Sequence, residues 1–155
     1  MTVSQILQAD RGKGLMIATA ESCTGGMVAA ALTKVAGASD VFDCGFITYS
    51  NGAKQAMLGV RALTLADHGA VSEEVAREMA EGAIAASQAG LAVAITGIAG
   101  PGGSEFKPEG RVCFGLAMTG ADTLTETVEF GAIGRAQVRA AACARALALL
   151  AAALR

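Results

Sequence analysis

Ser22, Cys23 and Thr24 stand together in Glu21-Ser22-Cys23-Thr24-Gly25-Gly26, between the apolar run 15–20 and the helix-like run 27–35. An apolar run with a β-branched centre, a hydroxyl-rich Gly-Gly turn and a helical pattern read together as strand, turn, helix. Such a turn holds a side chain at the carboxyl end of a strand and at the positive N-terminus of a helix. Unbonded main-chain N–H groups there can bind an anion or an oxyanion. A hydroxyl in that place is set as a nucleophile for acyl transfer, with N–H groups around Thr24, Gly25 and Gly26 as oxyanion donors. The plainer alternative is that Ser22 or Thr24 only caps the helix. Cys23 is a second candidate nucleophile, because a helix N-terminus lowers the pKa of a thiol.

A serine nucleophile needs a base. A Ser-His-Asp arrangement would have to use His68, the single histidine, which sits in Asp67-His68-Gly69 between predicted elements. A Ser-Lys pair needs one desolvated lysine. Lys13 and Lys34 fall at helix ends and Lys107 falls in a glycine-rich loop. Lys54 follows the second predicted strand in Tyr49-Ser50-Asn51-Gly52-Ala53-Lys54, again at a strand's carboxyl end, and is the best placed base. Its plainer reading is a solvated helix lysine. Tyr49, the one tyrosine, is either core filling or a hydroxyl at the same site.

Thr96-Gly97-Ile98-Ala99-Gly100-Pro101-Gly102-Gly103 also follows a predicted strand. Ligands of open α/β sheets bind outside the carboxyl ends of the strands, so both turns can share one edge. That makes Thr96, Gly97 and Gly100 candidates for a substrate-cradling loop, with a surface loop as the alternative. Arg135 and Arg139 are four residues apart near the start of the last predicted helix, where the dipole disfavours cations. Either they meet an anion, such as a substrate phosphate, or they pair with carboxylates such as Glu126 and Glu129.

The elements that must position these groups are legible in the periodicity. Helices are predicted over 3–11, 25–35, 51–58, 72–88 and 134–154, with Ser50 or Asn51 capping the third and Ser72 the fourth. Strands are predicted over 15–20, 41–49, 91–96, 111–119 and 123–130. The short turn Gly120-Ala121-Asp122 makes the last two strands an antiparallel hairpin, while the earlier alternation of strand and helix favours parallel pairing. The expected fold is one α/β domain over 1–155: a three-layer α/β/α sandwich around a mixed, mostly parallel sheet of about five strands, closed by a hairpin and a helix.

Composition narrows the function. The net charge of −2 and the lack of tryptophan leave no electrostatic or stacking case for nucleic acid. The uncharged segment 82–103 has the length of a membrane span, but its interior glycines, Ser87, Gln88 and Pro101 read as helix end, buried strand and loop, so no membrane partner is expected. Cys23, Cys44, Cys113 and Cys143 are widely spaced and form no Cys-x-x-Cys pair. With no basic-then-apolar start to suggest export, this predicts reduced thiols, a cytoplasmic setting and no metal site.

Four segments in order identify a resemblance: Thr19-Ala20-Glu21-Ser22-Cys23-Thr24-Gly25-Gly26, Gly45-Phe46-Ile47-Thr48-Tyr49-Ser50-Asn51 with Lys54, Gly69-Ala70-Val71-Ser72-Glu73-Glu74-Val75-Ala76, and the Thr96 to Gly103 loop. Over residues 3–154 the chain resembles the C-terminal domain family of the competence-damage protein CinA, in its stand-alone form. The resemblance implies an amidohydrolase that converts nicotinamide mononucleotide to nicotinate mononucleotide and ammonia in pyridine nucleotide recycling. It implies Ser22 as nucleophile, Lys54 as base, Tyr49 in the site, and Thr96 and Gly100 in the substrate pocket. It implies no metal or organic cofactor, a small nucleotide substrate and a homodimer. The family commonly carries Gly-Asp-Arg before its last helix, where this chain has Ile133-Gly134-Arg135, so the arginine persists and the acid is absent. The alternative function is a nucleotide-binding or interaction module without catalysis.

Overall fold

The computed structural model describes residues 1–104 and 106–155. Five strands form one sheet: β1 (Ile17–Glu21), β2 (Phe42–Ile47), β3 (Leu91–Gly97), β4 (Arg111–Met118) and β5 (Leu124–Glu129). Their order across the sheet is β2-β1-β3-β4-β5. β1 pairs in parallel with both β2 and β3, and the β3–β4 and β4–β5 pairs are antiparallel, so the sheet is mixed. Among the described residues six α-helices accompany it: α1 (Val3–Lys13), α2 (Met27–Thr33), α3 (Asn51–Leu58), α4 (Ala62–His68), α5 (Glu73–Ala85) and α6 (Arg135–Ala153).

The two faces of the sheet differ in side-chain size, and this sorts the helices into layers. In β3, Leu91, Val93 and Ile95 face one core, built with Ile6, Leu7, Val28, Leu32, Val138 and Leu150 of α1, α2 and α6. Ala92 and Ala94 face the other, with Val75, Met79, Ala80 and Ala83 of α5 and Leu58 of α3. Alternation along a strand sends successive side chains to opposite faces. The small-residue face lets α5 lie close: a Cβ at Gly115 in β4 would overlap the Ala76 carbonyl. By length and composition α6 is apolar enough to cross a membrane. Its buried residues Val138, Ala142, Ala146 and Leu150 recur every four residues and pack into the first core.

Local chemistry moves several predicted boundaries. The second helix starts at Met27 rather than residue 25, because Gly25 and Gly26 both take positive φ and form the turn itself. The first strand starts at Ile17 because Met16 also has positive φ, its N–H held by the Asp10 carboxylate. Ser50 caps α3, accepting from the Ala53 N–H, and Ser72 caps α5 in the same way. The helix at 62–68 was not expected. Its N-cap residue Arg61 makes no side-chain cap bond and it spans only seven residues, so the usual start signal is missing. The segment 98–109, between β3 and β4, is a loop on both sides of Glu105, which lies outside the described residues.

The parallel strands β2, β1 and β3 end on the same edge. Connections leave β1 towards β2 on one side and reach β3 on the other, so the crevice between the carboxyl ends of β1 and β3 is the place where such sheets bind ligands.

Candidate active site

Ser22 follows β1, Tyr49 follows β2, and Thr96 and Gly97 end β3, and all four reach this crevice. Lys54 comes in from the first turn of α3. Its Nζ donates to the Thr48 carbonyl at 2.9 Å and the Tyr49 carbonyl at 3.2 Å, and stands 3.1 Å from Ser22 Oγ. Lys54 is 1% exposed, and burial pushes its ammonium below the ordinary value of 10.5. The neutral amine has two N–H bonds and one lone pair. With both N–H bonds engaged by the carbonyls, the lone pair is left for the Ser22 hydroxyl proton, which is the geometry of a general base.

The turn carrying Ser22 is fixed from behind. The Ser22 N–H donates to the Ile95 carbonyl of β3, and the Gly25 N–H to the Ser22 carbonyl. Both N–H groups are therefore engaged, which removes Gly25 from the expected oxyanion donors. Glu21, 1% exposed, accepts from the Thr24 hydroxyl at 2.6 Å and from the Val28 and Ala29 N–H groups at 3.0 Å. It caps α2 from the preceding strand, in place of the expected Ser22 or Thr24. Glu21 carries no capping signal in the sequence, because an N-cap stands one residue before a helix, not six.

A cleft opens on Ser22 and Lys54. Its inner chamber, about 170 Å³, is lined by Ser22, Cys23, Tyr49, Lys54, Ala70, Val71, Thr96, Gly97, Ala99 and Arg135. An outer chamber of about 280 Å³ shares Tyr49, Ala70, Val71, Gly97, Ala99 and Arg135 with it and extends along Gly100 to Ser104. Thr96 turns its hydroxyl to the Ala70 carbonyl at 2.8 Å, joining β3 to the segment before α5. Gly97 is required where β3 meets β4, since a Cβ there would press on Val112 at 2.7 Å. Gly100 has a φ of +90°, and a Cβ on it would overlap the Glu109 carboxylate.

The two arginines part ways. Arg135 spans the cleft mouth, donating to the Gly100 carbonyl at 2.7 Å and to the Tyr49 hydroxyl at 3.0 Å. Tyr49 is 63% exposed, which excludes the core-filling reading. Arg139 instead donates to the Cys23 carbonyl at 3.0 Å and the Thr24 carbonyl at 3.4 Å, supporting the Ser22 turn. Thr24, Gly25, Gly26 and Arg139, all expected at the substrate, line neither chamber. Glu126 and Glu129 pair with Arg145 and Arg111, not with Arg135 or Arg139. The bonds to Gly100 and Tyr49 orient Arg135 without an acid before it; that position is Gly134, at a φ of +105°.

The rival nucleophile and rival base fare differently. Cys23 is 5% exposed, and burial pushes its thiol up to about 11, the reverse of the expected helix-terminus effect. His68 ends α4, faces Glu74 at 3.3 Å and lines neither chamber. Lys107 does not hang free in its loop; its Nζ donates to the His68 and Val71 carbonyls. Among the described residues no group of His, Cys, Asp and Glu side chains is arranged to hold a metal ion.

The sequence profile of the CinA C-terminal domain matches residues 2–154. Nicotinamide-nucleotide amidohydrolase PncC of Escherichia coli (strain K12) is 52% identical over 144 residues, covering 92% of this chain and 87% of the relative. A CinA-like protein of Chlorobium phaeobacteroides (strain BS1) is 55% identical over 76% of this chain, but this chain spans only 29% of that protein. The crystal structure of the competence/damage inducible protein CihA from Agrobacterium tumefaciens superposes with a TM-score of 0.93 at 48% identity, covering 97% of this chain and 92% of that one. The fold, the ordered motifs and these likenesses agree: the chain belongs to the CinA C-terminal domain family.

Proposed function

We propose that this chain is an amidase that hydrolyses nicotinamide mononucleotide to nicotinate mononucleotide and ammonia, with Ser22 as nucleophile and Lys54 as base. The observation that carries the mechanism is the 3.1 Å approach of Lys54 Nζ to Ser22 Oγ, with two carbonyls holding the rest of the amine. The substrate is drawn from the Escherichia coli relative at 52% identity. Neutral Lys54 takes the Ser22 proton as Oγ attacks the carboxamide carbon. The proton passes to the departing nitrogen, ammonia leaves, and an ester to Ser22 remains. Water, deprotonated by Lys54, then cleaves that ester and returns the proton to Ser22. N–H groups of the turn other than those of Ser22 and Gly25 serve the oxyanion, which in comparable sites is worth about 3–4 kcal/mol per donor.

The inner chamber takes the carboxamide and pyridine ring, and the outer chamber the ribose and phosphate. Arg135 is the phosphate partner, because it lines both chambers and Arg139 lines neither. Tyr49 places its hydroxyl at the mouth through Arg135, and Thr96, Gly97 and Gly100 shape the wall. Residues 1–155 act as one domain, in the cytoplasm and as a homodimer. Ammonia release from nicotinamide mononucleotide by the wild type, Ser22→Ala, Lys54→Met and Cys23→Ala tests this reading. Release is expected from the wild type and Cys23→Ala and lost, by about 10³-fold or more, in the other two. Binding of the mononucleotide by a folded wild type without ammonia release would instead identify a nucleotide-binding module.

A further inference from the structure

Two facing walls of the cleft are neither helix nor strand. One is the segment between α4 and α5, whose Ala70 and Val71 face both chambers. The other is the loop after β3, from Ile98 to Ser104. Segments of this kind open locally unless side chains tie them down. Thr96 ties the base of the first wall through Ala70, and Arg135 ties the second through Gly100.

Lys107 joins one wall to the other. Its Nζ donates to the His68 carbonyl and to the Val71 carbonyl, both at 2.6 Å, so it grips the first wall just before and at the end of 69–71. Its main chain is fastened to the second wall. The Lys107 N–H donates to the Ser104 carbonyl at 2.8 Å, and the Ser104 N–H to the Lys107 carbonyl at 3.1 Å. An ammonium on a four-carbon stem is ordinarily mobile and hydrated, and ordering it has an entropic cost. Two short charge-assisted bonds to main-chain carbonyls offset that cost. Both acceptors are main-chain atoms, so the contact fixes where the backbone runs.

We propose that Lys107 is a positioning residue that straps the glycine-rich loop to the 69–71 segment and thereby sets the width of the substrate cleft. The role in catalysis rests on the amidase reading above; the strap itself is a property of the two walls. Lys107 lines neither chamber, so it acts through Val71 and the loop rather than on the reacting atoms. Its removal therefore weakens substrate binding and leaves the Ser22 and Lys54 chemistry in place.

Hydrogen–deuterium exchange and steady-state kinetics on the wild type, Lys107→Met and Lys107→Arg test this. In Lys107→Met, exchange over 69–75 and 98–104 is expected to accelerate about tenfold together, with β3 unchanged. KM for nicotinamide mononucleotide is expected to rise about tenfold, with kcat within about threefold of wild type. Arginine retains a charged multiple donor, so Lys107→Arg is expected to recover most of both losses. Unchanged exchange in the two walls overturns the strap. So does acceleration that extends through β3, which would make Lys107 a support of the fold. Loosened walls with an unaltered KM overturn its role in binding. A wild type that releases no ammonia ends the amidase reading, and exchange in the two walls then decides the strap without it.

Discussion

Lys54 is held by two carbonyls that favour its ammonium and by burial that opposes it, and burial prevails. The base must be neutral, so kcat/KM should rise with pH through the lowered Lys54 value and level off below 10.5. A pH–rate profile whose rise begins only at the ordinary lysine value would remove Lys54 as the desolvated base. Stability shows the same linkage. Below the folded pKa the buried ammonium is a full cost, because the unfolded chain holds its proton more tightly. Between the folded pKa and 10.5 the unfolded state binds more protons, so stability rises with pH across that window. Relative to Lys54→Met, the wild type should gain stability as pH climbs through the window, a comparison that urea titrations at several pH values would settle. Cys23 lines the same chamber, but its buried thiol stays protonated at neutral pH. Iodoacetamide at pH 7 should therefore leave ammonia release intact; rapid inactivation lost in Cys23→Ala would contradict this.

Helix α2 backs the nucleophile's turn, yet its N-cap residue is Gly26, which has no side chain to cap it. Glu21 supplies the cap from the end of β1, joining strand, turn and helix through one carboxylate. Glu21→Gln would turn an NH₂ group towards a main-chain N–H that now has an acceptor. Loss of a cap and a buried unsatisfied donor together should cost about 2 kcal/mol. Urea unfolding should show this as a lower midpoint at unchanged slope, and kcat should fall about tenfold or more as the Ser22 turn shifts. A variant with wild-type stability and turnover would show that the turn holds itself.

The layers depend on how closely α5 approaches the sheet. A Cβ at Gly115 would meet the Ala76 carbonyl and, at 3.3 Å, Ala80 Cβ. Gly115→Ala should destabilise the protein by about 1–3 kcal/mol, because the helix cannot retreat without opening the core of Met79, Ala80 and Ala94. Gly52 is the opposite case: exposed on α3, with Ser50 Oγ at 4.0 Å the nearest atom to an added Cβ. Gly52→Ala should stabilise by about 0.5–1 kcal/mol through helix propensity. Thermal melts of the two variants should move in opposite directions; a stabilising Gly115→Ala would mean that α5 sits less tightly than described.

Much of this was legible in the residues alone. The runs 15–20, 91–96 and 111–119 read as strands, and Ser72 as a cap, because local patterning and capping act over a few residues. The ordered motifs also pointed to Ser22, Lys54 and Tyr49, and all three line the inner chamber. Arg139 shows where such reading stops. Its spacing from Arg135 placed both on one helix face, but four residues of helix also advance the side chain by about 6 Å. That shift turns Arg139 onto the Cys23 and Thr24 carbonyls while Arg135 reaches Gly100 and Tyr49. Lys107 and the sign of the Cys23 shift are equally hidden, because a partner 39 residues away or the desolvation of a thiol is created only when the chain packs. Periodicity and caps are local and are written in the chain; contact, burial and the protonation states they impose arise from the fold.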